Sequence, residues 1–147
     1  MTATPPSTLV RALRLYVDAR NASIIEARRQ LKIGELDARA LLYVADNPGT
    51  RPTHLREHLG ITSAGITTLI DRLVDRDAVR RDVDPADRRV NRITVTVDLA
   101  TLPWSALTRF DREFELAVAS DDGAKHNDQL AATLTTLVAA VAASRAS

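Results

Sequence analysis

The chain has 147 residues, 45% of them apolar, with no Cys and with 20 basic against 19 acidic side chains, a formal charge of +1. That length suits one compact domain with an extension, and the apolar fraction excludes global disorder. Disulfides, thiol nucleophiles and Cys-ligated zinc are excluded with the cysteines, and five aromatic residues are too few for a platform that stacks single-stranded bases.

Residues 1–7 are Thr/Pro-rich and expected to fray. A helix is predicted over 8–31, where Val10, Leu13, Val17, Ile24 and Leu31 keep helical spacing, with Gly34 as its stop. Asp37 is expected to cap a second helix that ends at Asn47-Pro48-Gly49. A short third helix, with Pro52 in its first turn, leads to a turn at Gly60-Ile61. Thr62 caps a fourth, running to about Asp75.

The period then changes from helical to alternating. Residues 79–83 and 92–97 read as two strands of a hairpin, joined by a turn built on Asp84-Pro85-Ala86-Asp87. After Asp98 helical spacing returns in Leu107, Phe110, Phe114 and Val118. A break follows at Asp121-Asp122-Gly123, and then an Ala-rich stripe of Leu130, Leu134, Leu137, Val138 and Val141. The fold class is therefore mainly α with a small β-hairpin (α+β). The expected division is 1–7 as a frayed terminus, 8–34 as an N-terminal dimerisation helix, 35–98 as a winged helix-turn-helix, and 99–147 as C-terminal dimerisation helices.

The near-zero charge conceals a pattern. Eighteen of the 20 basic residues are Arg, and residues 1–50, 51–92 and 93–147 carry net +2, +2 and −3. Arg is the side chain whose planar fork suits phosphate and base edges. Within the middle segment, Leu55 and Leu59 lie one helical turn apart, Gly60 sits where the chain must turn sharply, and Ile66, Leu69, Ile70 and Leu73 form one apolar face. This is helix-turn-helix spacing. The other face of the fourth helix carries Ser63, Ala64, Thr67, Thr68 and Asp71, with Arg72 at its edge. Residues this small admit close approach to a major groove, and hydroxyls meet base-edge donors or acceptors. Taken alone, such a face is ordinary solvated surface. The hairpin shifts the balance, because Arg80, Arg81, Arg88, Arg89 and Arg92 fall within 13 residues. An Arg-bearing tip beside a recognition helix suits a minor groove. Asp87 reads as a brace for a wing Arg.

Residues 36–96 resemble the MarR family of winged-helix regulators. The matching features are the second helix ending in Asn47-Pro48-Gly49, then Leu55, Leu59-Gly60-Ile61-Thr62, then Ile66-Thr67, Leu69-Ile70-Asp71-Arg72-Leu73, and the Asp-x-Arg wing motif as Asp87-Arg88-Arg89. The resemblance covers about 60 residues. The family's second wing strand usually ends in Leu-Thr followed shortly by Gly; here the sequence is Thr96-Val97-Asp98-Leu99-Ala100, then Pro103. The resemblance implies recognition by the Thr62-led helix, minor-groove contact by Arg89, an interlocked dimer of the first and last helices, and a response to small aromatic acids or other amphipathic ligands.

The expected DNA contacts are Thr62, Ser63, Ala64, Thr67, Thr68 and Arg72 on the recognition helix, Arg51, Thr53 and His54 at helix three, and Arg81, Arg88 and Arg89 on the wing. Val10, Leu13, Val17, Phe110, Phe114, Leu130, Leu134, Leu137 and Val141 are the expected dimer core, since one small wing domain has no third layer to cover them. The expected partners are a pseudo-palindromic duplex, a second copy of the chain and a small-molecule effector whose site is not assigned; Tyr16, Arg20 and Tyr43 form only a sparse polar-aromatic set. His54 and His58 have a chelating spacing but no third ligand in sequence, so no metal or cofactor is expected. No phosphate loop, nucleophile elbow or nucleophile–base pair is present, which argues against an enzyme. The competing readings are a winged-helix scaffold for protein partners and a metal-responsive repressor. With no signal-like N-terminus and no apolar run near ~18 residues, a cytoplasmic chain is expected.

Overall fold

The computed structural model describes residues 5–120 and 123–145. Most of the expected frayed N-terminus, and Asp121 and Asp122 of the expected break, lie outside them. Among the described residues the order is α1 (Thr8–Leu31), α2 (Glu35–Asp46), α3 (Pro52–Leu59), α4 (Ser63–Asp75), β1 (Val79–Val83), β2 (Asn91–Val95), a 3-10 turn (Trp104–Thr108), α5 (Arg109–Ala119) and α6 (Ala124–Ser144). Two compact units result, Met1–Phe110 and Asp111–Ser147.

The helix limits follow local chemistry. Ser7 Oγ caps α1 by accepting the Val10 N–H. The helix ends at Leu31 as expected, but its stop residue is Lys32 rather than Gly34: Lys32 is left-handed (φ +54°), the Ile33 N–H donates to the Arg28 carbonyl, and Ile33 is buried beneath the turn. Gly34, not Asp37, is the N-cap of α2. Asp37 stands one turn inside, and its carboxylate accepts the Gly34 N–H at 3.3 Å. Pro52 occupies the first turn of α3, and Gly60 ends it with φ +67°. The Thr62 hydroxyl caps α4 by accepting the Gly65 N–H at 3.1 Å.

In the first unit, the core is built on Leu41, Val44, Leu55, Leu69, Ile70, Leu73, Ile93 and Leu107. The helix-turn-helix stripes thus bury as their spacing requires. The strands pair antiparallel, with Val79 opposite Val95 and Val83 opposite Asn91. The second strand begins at Asn91 and ends at Val95, a shift from the expected 92–97, because its register is set by β1. Ile93 also bridges to Thr50: the Ile93 N–H donates to the Thr50 carbonyl at 2.8 Å, and the Gly49 N–H donates to the Ile93 carbonyl at 3.0 Å. The hairpin is thereby fastened to the α2–α3 connection.

Helical structure resumes only at Trp104, after a turn in which Asp98 accepts the Ala100 N–H. The Tyr16 and Phe110 rings meet edge to face at 5.4 Å. In the second unit, neither α5 nor α6 contains a buried residue.

Candidate nucleic-acid interface

The exposed face of α4 is small and polar, as its sequence suggests. Ser63, Ala64, Thr67 and Thr68 are all exposed. The Thr67 hydroxyl donates to the Ser63 carbonyl and the Thr68 hydroxyl to the Ala64 carbonyl, each at 3.1 Å. Both hydroxyl protons are turned back to the helix, so the oxygens face outward as acceptors. Ser63 Oγ accepts from Arg56 at 3.0 Å, an Arg of α3 absent from the expected contacts. Thr62 is engaged as the cap. On α3 and its lead-in, Arg51, Thr53 and His54 are exposed.

Arg72 is exposed at the edge of that face and is also paired. Its Nε donates to both oxygens of the buried Asp37 at 3.1 Å, and Nη2 also donates to Oδ1. That hydrogen bond raises the guanidinium pKa above its ordinary value. Side-chain periodicity puts Arg72 at the edge of the polar face, and there a buried carboxylate 35 positions away engages one side of its fork.

Arg81 is also engaged. It pairs with Asp71 of α4, which holds the first wing strand against the outer edge of that helix. Arg80 pairs with Asp82 on its own strand at 2.9 Å.

The loop over 84–90 contains two tight turns. Asp84, 2% exposed, accepts the Ala86 N–H and the Arg92 Nε, each at 2.9 Å, and lies 3.7 Å from Arg51. Arg92 further donates to the Gly49 carbonyl at 3.2 Å. The Ala86 N–H first, and then Arg92 and Arg51, hold the Asp84 carboxyl below its usual pKa against the opposing effect of burial. Asp87 lies at the tip. Its carboxyl is likewise lowered, mainly by the Arg89 backbone N–H and then by the Arg89 side chain, while the Asp84 charge opposes the shift. Arg88 and Arg89 are exposed beside it.

Sequence reasoning missed Asp84 and Arg56 as parts of this surface, and counted Arg92 among the wing arginines without its tie to Asp84. Only the Asp-Pro start of the turn hinted at Asp84, since an Asp there often bonds the backbone two residues on.

The remaining candidates fall elsewhere. Val10, Leu13 and Val17 are exposed on α1, as are Phe114 on α5 and Leu130, Leu137 and Val141 on α6; Phe110 and Leu134 are half-buried. A crevice of about 400 Å³ opens between α1 and α2, lined by Arg20, Ile24, Arg28, Glu35, Arg39 and Leu42 among others. Of the sparse polar-aromatic set only Arg20 lines it. Tyr43 instead stacks on His58 with ring centroids 4.1 Å apart. Among the described residues no group of three or more His, Asp or Glu side chains could hold a metal ion, and no helix is long and apolar enough to cross a membrane.

A helix-turn-helix followed by a two-stranded wing defines a winged-helix protein. Residues 33–90 match the model of the MarR family. Over those residues, which end before the second wing strand, the chain is similar to that family. Solved structures share the fold along nearly the whole chain. One is the S. aureus MepR–DNA complex, at 22% identity and TM-score 0.56, covering 87% of this chain and 96% of that one. S. aureus MepR bound to ethidium bromide aligns at 22% identity and TM-score 0.60, over 92% and 97%. The transcriptional regulator SlyA aligns at 18% identity and TM-score 0.59, over 92% and 94%. No curated protein sequence matches the chain.

Proposed function

We propose that the protein is a transcriptional regulator that binds double-stranded DNA sequence-specifically as a homodimer, acting by binding rather than catalysis and meeting its operator in the cytoplasm. One observation carries this reading: the Asp71–Arg81 pair holds the Arg-tipped hairpin alongside the small polar face of α4. Ser63, Ala64, Thr67 and Thr68 would read base edges in the major groove. Arg88 and Arg89 would enter the adjacent minor groove, and Arg51, Thr53 and His54 would meet phosphates. Arg72 is held by Asp37 through Nε and Nη2, which leaves Nη1 on its exposed side to meet DNA while the pair holds α4.

The dimer reading is supported by the apolar residues left uncovered on α1, α5 and α6, namely Val10, Leu13, Val17, Phe114, Leu130, Leu137 and Val141. Side chains of that size gain ~1.5–3 kcal/mol each when fully buried, and a two-fold copy supplies the surface. The α1–α2 crevice, with Arg20, Arg28 and Arg39 around Ile24 and Leu42, suits a small amphipathic anion as effector. Among the relatives, one MepR structure is bound to DNA, and another is bound to ethidium bromide, whose aromatic ring system is a cation, so the anion preference here rests on the crevice arginines alone.

The test is selection of bound duplexes from a random pool at fixed salt, paired with sedimentation. An inverted repeat with half-sites about one helical turn apart, ~10–10.5 bp, and a dimeric mass are expected. A monomer at micromolar concentration, or a pool with no enriched sequence, would favour a winged-helix scaffold for protein partners instead.

A further inference from the structure

We infer that Arg72 and Arg76 form a clasp that sets the angle of α4 against α1, and so fixes the operator half-site spacing the dimer accepts. The inference rests on the DNA-binding function proposed above. It begins with a stripe on α4. Arg72 and Arg76 are four residues apart and therefore one above the other on the helix. Arg72 grips Asp37, in the first turn of α2, through Nε and Nη2. Arg76, the C-terminal cap residue of α4, donates to the Leu31 carbonyl at 3.3 Å and to the Lys32 carbonyl at 2.8 Å. Both arginines thus hold the same elbow, where α1 ends and α2 begins.

The chemistry of the clasp is directional. Burial of Ile66, Leu69, Ile70 and Leu73 keeps α4 against the core, but the hydrophobic driving force is non-directional and ridge-into-groove packing leaves about 15–20° of scatter in crossing angle. Planar guanidinium forks on fixed acceptors do have such a preference. The acceptors are also well fixed. Asp37 is 3% exposed and accepts the Gly34 N–H as well, while the Leu31 and Lys32 carbonyls belong to a helix end closed by the left-handed Lys32.

The other end of α1 carries the exposed Val10, Leu13 and Val17, where the second copy would pack. A helix of 24 residues is about 36 Å long. A turn of only ~5° at the elbow would displace the far end of such an arm by about 3 Å, close to the rise of one base pair, ~3.4 Å. Two-fold symmetry applies the same error to both half-sites. A clasp at this elbow is therefore where spacing is decided, while the bases themselves are read by other residues.

The experiment compares wild type, Arg76→Gln and Asp37→Asn on three duplexes: the inverted repeat recovered from the pool, the same repeat with one base pair inserted at its centre, and a single half-site. Wild type is expected to prefer the parent spacing at least tenfold. In both variants that ratio should fall below threefold, and Arg76→Gln should leave half-site affinity within twofold. A ratio within twofold of wild type in either folded variant overturns the clasp. So does a proportional loss on the half-site and the full site, which would mark Arg76 as a direct DNA ligand. Loss of fold in both variants, read by circular dichroism, also overturns it, because the pair would then govern stability. Failure of wild type to select any inverted repeat is a different result: it removes the DNA-binding reading, and the clasp falls with it.

Discussion

Asp87 holds Arg89 through one oxygen: Oδ1 accepts both the Arg89 backbone N–H at 3.0 Å and its Nε at 3.2 Å. The side chain is 91% exposed and yet oriented. A solvent-facing Arg normally samples many rotamers, and holding it in one lowers the entropy lost when it docks. The carboxylate engages Nε, so the two terminal nitrogens stay available to a groove floor.

Replacing both tip arginines, Arg88→Ala with Arg89→Ala, should weaken duplex binding by ~1–3 kcal/mol for each good base interaction removed. Asp87→Ala should act in the same direction but less strongly, because it frees Arg89 without removing it. Fluorescence anisotropy at one fixed salt concentration measures both. Affinity unchanged in the double variant would remove the wing from the interface.

Thr67→Val and Thr68→Val keep the shape of α4 and delete an acceptor that faces outward. Each should relax preference at one base position by about 1–3 kcal/mol while leaving the salt dependence of binding alone. Arg51→Gln should do the reverse, lowering affinity across all sequences and reducing the salt slope by about 1. A salt titration on matched and mismatched duplexes separates the two outcomes.

Asp84 gives the fold a dependence on acid. Its carboxyl is held below the ordinary value in the folded chain, so the stabilisation is fully present above the unfolded value, about pH 4, and is lost as pH falls through the folded one. Asp87 contributes with the same sign. Urea midpoints should therefore drop below about pH 4, and Asp84→Asn should flatten that drop while lowering stability near neutrality. A variant whose acid limb matches wild type would show that the hydrogen bonds from Ala86 and Arg92 to Asp84 do not stabilise the fold.

Two substitutions probe the helix-turn-helix itself. Leu69→Ala empties a core position 2% exposed and should cost about 2–5 kcal/mol in urea unfolding. Gly60→Ala meets no atom within 4 Å, so its cost is the left-handed backbone alone, about 1–2 kcal/mol. A neutral Gly60→Ala would mean the turn relaxes out of φ +67°.

Local rules decide much of the fold, and those parts are legible in the sequence. Thr62 as a cap, Pro52 in a first turn, Gly60 at a sharp corner and the Leu55/Leu59 stripe each follow from spacing within a few residues. Distant partners decide the rest. Arg72 keeps the edge position that helical spacing gives it, but its partner Asp37 lies 35 positions away and cannot be paired with it from periodicity. Arg81 groups with the wing cations by position, yet Asp71 of α4 faces it. Asp84 reads as a turn residue because its partners Arg51 and Arg92 come from two different parts of the chain. α1 ends at Leu31 as its spacing predicts, but Lys32 rather than Gly34 closes it, because burial of Ile33 supports a left-handed residue that propensity disfavours.

The bridge between Thr50 and Ile93 divides the hairpin into two parts with different freedom to change. Its base is sewn into the body by backbone hydrogen bonds, and Asp84 closes it from above. Residues 85–90, beyond that seam, carry few obligations to the core. Insertions or deletions there would lengthen or shorten the reach of the arginines without disturbing the helices. Related chains could therefore adjust to different grooves by editing six residues, leaving the rest of the reading head untouched.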